Sequence, residues 1–296
     1  RRLRRGDYAS AFAHADTLVR RREDIQPEIF KLFRVAGTSD AQRAAPVIAR
    51  LLAKNPPWRQ AYLSGLRNTP EELQLAVNLG LLLETGKAPL TSEELEGLYW
   101  TLLNKGQVPA VLEVRRRLNR PPANVAVTNG EFSEPAAPQP FQWRFYEKAG
   151  IIAEIVQDDL LPSNSALRVD YDGYAPGTIT EQMTALEPGA YRFSTRIRTE
   201  SGDPTGRLAW TLACAIGESP GTSIPVEGSD VSAGWSTLTG RFEVPAGCPL
   251  QSLRLETRAG DRRSHLAVWF DRITISPLTG AGSGRWDHIP PASNPY

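Results

Sequence analysis

Apolar positions follow two different periods along the chain, and the change comes near residue 120. Before it, apolar residues recur at three- and four-residue spacing, the mark of helices with one buried face. Tyr8, Ala11, Phe12, Ala15, Leu18 and Val19 predict a helix over 8–19, and Ile25, Ile29, Leu32 and Phe33 a second over 25–35. Ala44, Val47, Ile48, Leu51 and Leu52 line one side of a third over 39–54, which Asn55-Pro56-Pro57 ends because proline cannot continue a helix. Trp58 to Leu66 is a short fourth. Thr69-Pro70-Glu71-Glu72 combines a cap residue, a first-turn proline and early acids. The helix behind it, to about Thr85, is apolar nearly all round and therefore central. Thr91-Ser92-Glu93-Glu94 starts another, with Leu95, Leu98, Tyr99, Leu102 and Leu103 as its stripe, and a last helix spans about 107–118.

Helical periodicity stops at Arg120-Pro121-Pro122-Ala123-Asn124, and alternation takes over. The expected strands are Val125–Thr128, Phe141–Glu147, Ile151–Gln157, Ala166–Tyr171, Thr178–Leu186, Ala190–Thr199, Leu208–Ile216, Trp235–Val244, Leu250–Thr257 and Ala267–Ser276. Tyr191, Phe193, Thr195 and Ile197 share one face, and Arg192, Ser194, Arg196 and Arg198 the other. Turns such as Glu187-Pro188-Gly189 separate these runs. Ten short strands at regular spacing predict an antiparallel β-sandwich of the jelly-roll kind. The expected organisation is a helical domain over 1–120, a linker over 121–126, the β-sandwich over 127–278 and a flexible tail over 279–296 around Gly280-Ala281-Gly282-Ser283-Gly284.

Composition narrows the function classes. With 41% hydrophobic and 23% charged residues among 296, wholesale disorder is excluded. A net charge of +1 argues against a general nucleic-acid binder, and no apolar run is long enough to span a membrane as a helix. Residues 1–122 hold 20 Lys/Arg against 13 Asp/Glu, and residues 123–296 hold 14 against 20, so the halves carry opposite charge. The excess at Arg1, Arg2, Arg4, Arg5, Arg20, Arg21 and Arg22 reads either as a solvated helix surface or as a juxtamembrane basic segment. The sequence opens on Arg, and a signal peptide or membrane anchor lost from upstream of it would fit the basic start.

The short helices read as an α-solenoid. Arg5-Gly6-Asp7-Tyr8-Ala9-Ser10-Ala11 and Lys105-Gly106-Gln107-Val108-Pro109-Ala110 resemble tetratricopeptide half-repeats, their glycines 100 positions apart, near three periods of about 34 residues. That resemblance implies a surface for a protein partner.

The C-terminal half, about 125–277, resembles a carbohydrate-binding module of the family 4/9 type, a galactose-binding-like jelly roll. The resemblance rests on ordered motifs: Thr128-Asn129-Gly130-Glu131-Phe132, Phe141-Gln142-Trp143, Ala166-Leu167-Arg168-Val169, Glu181-Gln182-Met183, Leu186 to Ser194, Gly234-Trp235 with Gly240 to Pro245, and Val268-Trp269-Phe270-Asp271-Arg272-Ile273. It implies Trp143, Trp235 and Trp269 as packing residues. It also implies a structural calcium ion between first and last strands, for which Glu131 and Asp271 are the carboxylates at matching places, although Ser133 and Arg272 stand where the family usually has acids. No other cofactor is expected.

Sugar recognition needs an apolar platform for the ring and polar groups for its hydroxyls. Candidate platforms are Tyr146, Tyr171, Tyr174 and Trp210; candidate hydroxyl partners are Gln182, Arg196, Arg198, Glu218, Arg254 and Glu256. Cys214 and Cys248 lie in the same half, either bridged, which implies an oxidising compartment, or as two buried thiols. His14, His265 and His288 sit in no nucleophile or metalloprotease motif. The expectation is a non-catalytic polysaccharide-binding adaptor of the bacterial periplasm or envelope, active in polysaccharide synthesis or export. The alternatives are an assembly protein whose jelly roll binds protein and a glycan-active enzyme.

Overall fold

The computed structural model describes residues 7–86, 88–133, 137–216, 221–228, 234–258 and 263–278. Arg1 to Arg5, Gly6 of the first repeat-like motif, Glu218 and the tail with His288 lie outside the described residues. Among the described residues seven α-helices come first: α1 (Tyr8–Arg21), α2 (Gln26–Ser39), α3 (Ala41–Leu52), α4 (Arg59–Ser64), α5 (Pro70–Glu84), α6 (Ser92–Asn104) and α7 (Val108–Leu118). Thr69 caps α5 by accepting from the Glu72 amide, and Thr91 and Glu94 form a reciprocal capping box at α6. The second helix runs past the expected end, through Gly37, where a Cβ would sit 2.6 Å from Leu75 of α5. The bare backbone there lets α5 pack closely on α2. Helix α5 is central as expected, in contact with α2, α3, α6 and α7. No helix of the described residues is long and apolar enough to cross a membrane.

Ten strands follow among the described residues: β1 (Arg144–Phe145), β2 (Ile151–Gln157), β3 (Ser165–Tyr171), β4 (Gly177–Thr184), β5 (Gly189–Ser201), β6 (Leu208–Cys214), β7 (Thr222–Pro225), β8 (Ser236–Val244), β9 (Gln251–Thr257) and β10 (Leu266–Pro277). They form two five-stranded sheets of antiparallel pairs, ordered β1-β4-β9-β6-β7 and β2-β3-β10-β5-β8. The chain passes repeatedly from one sheet to the other, the jelly-roll pattern. Phe193, Leu212, Phe242 and Leu255 meet in the core between the sheets.

The strand expectations need correction in places, and Phe141–Glu147 pairs as a strand only over Arg144–Phe145. Val125–Thr128 is not a strand, because side chains take over its pairing: Thr128 is bonded by Gln182, and the Ala126 carbonyl accepts from Thr184. The tenth strand is instead β7, too short and punctuated to stand out in the sequence. The opening motif does what its glycine suggests. A Cβ on Gly130 would lie 2.1 Å from the Ile273 carbonyl, so the chain passes β10 at backbone contact, and Phe132 buries against Trp143.

The helical core does not stop at the last helix. Phe141 and Leu250 belong to it, with Met183, Ala185 and Ala215 packed alongside. Tyr99 of α6 meets Phe141 edge to face, and Arg115 of α7 lies 4.3 Å over the same ring. The Gln139 amide donates to Glu96, and Met183 N–H donates to the Pro140 carbonyl. Helix α6 is thereby tied to one end of the first sheet, where β4 ends and β9 begins.

Candidate functional site

Each sheet has an outer face, and they differ in how far they satisfy themselves. On the second sheet, Trp235, Arg196, Arg198, Trp269 and Arg168 make a continuous stack. Arg196 lies 4.8 Å from the Trp235 ring centre, Arg198 4.4 Å from that of Trp269, and Arg168 5.8 Å from Trp269. Carboxylates pin it: Glu200 accepts from Trp269 and Arg168, Asp158 from Trp235, Asp159 from Arg198, and Asp271 pairs with Arg196. Asp158 and Asn164 of the β2–β3 connection close over this network. Trp269 therefore packs as expected, but outside the sandwich rather than between its sheets. Arg198 is buried and held by Asp158 and Asp159, and Arg196, 28% exposed, is paired with Asp271.

The first sheet presents a different surface. Arg144, Glu181, Arg254, Thr211 and Ser223 stand opposite one another in register, one row across all five strands. Glu181 is the hub. It accepts from Tyr146 Oη at 2.5 Å, from Arg254 Nε at 3.0 Å and from the Ser252 hydroxyl. Burial raises the Glu181 carboxyl, but hydrogen bonds from Ser252, Tyr146 and Arg254, with the Arg254 charge, outweigh it and hold the group below its usual range. The Tyr146 phenol is pushed up by burial and then by Glu181, so both groups keep their neutral-pH forms. In the next row Glu256 accepts from Thr211 at 3.0 Å, and Arg258 donates to Ser223 at 2.7 Å. Arg144 is exposed and stacks 4.9 Å over Tyr146. Trp100 of α6 shares a shallow recess with Gln139, Pro140, Arg144, Glu181 and Met183.

Of the expected site residues, this face unites Tyr146, Arg254 and Glu256. Tyr171 and Trp210 are fully buried in the core and offer no ring face to a ligand. Gln182 points inward and serves Thr128. Tyr174 stands 73% exposed in the β3–β4 turn, apart from the Glu181 cluster. Glu218 lies outside the described residues. The sequence reading missed Arg144, Glu181, Thr211, Ser252 and Trp100; parity along β9, with Arg254 and Glu256 opposite Leu253 and Leu255, would have found Ser252.

Glu131 and Asp271 do not fit a calcium ion. Asp271 Oδ1 takes the Arg272 amide, Oδ2 takes Asn164, and the Arg196 guanidinium stands 3.5 Å away. Calcium needs six or more oxygens, and a guanidinium beside the carboxylate opposes a dication. Among the described residues, no group of three or more His, Cys, Asp or Glu can hold a metal. Cys214 and Cys248 are joined by a disulfide from the end of β6 to the approach to β9.

No protein-family model matches the sequence, and no curated protein matches it. Solved structures resemble the C-terminal half. A family 4 carbohydrate-binding module is 17% identical over 52% of this chain and 100% of its own, with a TM-score of 0.39. The module TmCBM61, solved with β-1,4-galactotriose, is 17% identical over 52% of this chain and 96% of its own, with a TM-score of 0.35. A cyclase from Fischerella sp. TAU is 14% identical over 53% of this chain and 98% of its own, with a TM-score of 0.33.

Proposed function

We propose that this chain is a non-catalytic glycan-binding protein and that the outer face of the first sheet is its recognition surface. One observation carries the reading. The Tyr146–Glu181–Ser252–Arg254 cluster sets fixed hydrogen-bonding groups beside an aromatic ring, with the Arg254 side chain 36% exposed and the exposed Arg144 next to it. A sugar ring requires a planar apolar surface next to fixed donors and acceptors. Tyr146 supplies the ring, Glu256 accepts from hydroxyls, Arg254 donates, and Glu181 holds Tyr146, Ser252 and Arg254 in place. In this reading the helices act as stacked repeats that dock a protein partner, and the disulfide favours an oxidising compartment such as the periplasm or cell exterior.

Affinity electrophoresis of the full chain against neutral and acidic polysaccharides tests it. Retardation is expected, lost in Tyr146→Ala and kept in Arg241→Ala on the opposite sheet. No retardation by any glycan, with a stable protein complex instead, overturns the reading in favour of an assembly role. Release of reducing sugar overturns the non-catalytic part.

A further inference from the structure

The charges on the open face are not all spent. Glu181 stands opposite Arg144 in the β1–β4 register, yet its oxygens are taken by Tyr146, Ser252 and Arg254. Arg144 is exposed and has no carboxylate within ion-pair distance among the described residues; its guanidinium rests on the Tyr146 ring. Arg258 likewise has only the Ser223 hydroxyl. Arg144 is therefore the exposed cation of this face that stands beside the aromatic ring without a carboxylate partner among the described residues. The row next to the helices runs Met183, Ser252, Ala213 across β4, β9 and β6, and Met183 packs against the helical core. The Trp100 recess opens on that side, beside Arg144.

Building on the proposed glycan role, we infer that the face reads an acidic glycan, and that the helical part forms one wall of its groove. A uronate carboxylate pairs with the Arg144 guanidinium, whose fork matches it at two points. The ring carrying that carboxylate lies between Tyr146 on the strand side and Trp100 on α6. Because α6 is fixed to the sheet through Tyr99, Phe141 and the Glu96–Gln139 bond, the wall stands in place before the glycan arrives.

Calorimetric titration of the full chain with oligogalacturonate and with xylo- and cello-oligosaccharides of equal length tests the inference. The uronate is expected to bind more tightly, and its affinity to fall with added salt. Arg144→Gln is expected to weaken the uronate by on the order of tenfold more than it weakens neutral oligosaccharides of equal length. Trp100→Ala is expected to weaken binding while the melting temperature and helical circular dichroism stay at wild-type values; if it unfolds, Trp100→Gln serves the same purpose. Equal affinity for neutral and acidic chains, or equal losses on both in Arg144→Gln, overturns the acidic preference and leaves the glycan role standing. Wild-type affinity in a folded Trp100 variant overturns the helical wall. No binding of any oligosaccharide overturns both this inference and the role on which it rests.

Discussion

Gln182 and Thr128 exchange two hydrogen bonds: Thr128 N–H donates to Gln182 Oε1 at 2.7 Å, and Gln182 Nε2 donates to the Thr128 carbonyl at 2.8 Å. A buried side-chain amide thus replaces the neighbouring strand that this segment lacks. Gln182→Leu keeps the volume and leaves a buried N–H and C=O unpaired, each costing about 1–3 kcal/mol. Urea unfolding should show a loss of about 2–4 kcal/mol. Glycan affinity of the folded variant should stay at the wild-type value; a tenfold weaker complex would return Gln182 to the binding surface.

The same residue shows where the sequence is legible and where it is not. Alternation in β5, β6 and β9 places Phe193, Leu212 and Leu255 inward, and they are inward. In β4 the apolar positions Ile179, Met183 and Ala185 share one parity, which points Gln182 to solvent. The structure has a register shift between Thr178 and Thr180, with Ile179 and Thr180 both buried. That single irregularity turns Thr180, Gln182 and Thr184 inward and brings Glu181 out, and no local residue pattern announces it. Trp100 was hidden for another reason: its place depends on how α6 meets the sheet, a long-range relation that periodicity within α6 does not encode.

Arg59 on α4 and Glu94 on α6 form a two-point ion pair, Nε to Oε1 at 2.8 Å and Nη2 to Oε2 at 2.7 Å, with both side chains 6% exposed. Arg59 also donates to the carbonyls of Leu52, Ala88 and Pro89, so it clasps the α5–α6 connection. Glu94→Ala strands a buried guanidinium and should cost about 3–5 kcal/mol. Glu94→Gln keeps the capping box and should cost less. Equal losses in a denaturant series would assign the whole effect to the charge pair, because Glu94→Gln leaves the cap in place.

Tyr62 presents the opposite case. Its ring is fully buried among Phe30, Phe33 and Trp58, and its hydroxyl has no hydrogen-bond partner among the described residues. Burial drives the phenol well above its usual range. Tyr62→Phe removes an unpaired polar atom without changing the ring, so stability should hold or rise by about 1 kcal/mol. A drop of that size in thermal unfolding would mean the hydroxyl has a partner in solution.

The Cys214–Cys248 bridge closes a loop with a sequence separation of 34 residues. On the chain-entropy relation, constraining such a loop in the unfolded chain contributes about 3–4 kcal/mol. The Cys214→Ser, Cys248→Ser double variant should lose stability by that amount, and wild-type protein under reductant should match it. If reductant leaves the unfolding midpoint unchanged, the bridge does not form in solution.

Glu181 links the open face to pH. Its carboxyl lies below the usual 4.5 because the hydrogen bonds from Ser252, Tyr146 and Arg254 and the Arg254 charge outweigh the burial that opposes ionisation. A carboxyl depressed on folding releases its proton more readily in the folded chain than in the unfolded one. Its contribution is therefore complete above the unfolded value and is lost as pH falls through the folded one. Glu181→Gln removes that dependence while keeping an acceptor for one of Tyr146 and Ser252, which donate to different oxygens. The difference in melting temperature between wild type and Glu181→Gln should favour wild type at pH 6 and shrink steadily as pH falls below about 4.5. A constant difference across that window would show that Glu181 titrates alike in folded and unfolded chains, and the hub would then contribute geometry alone.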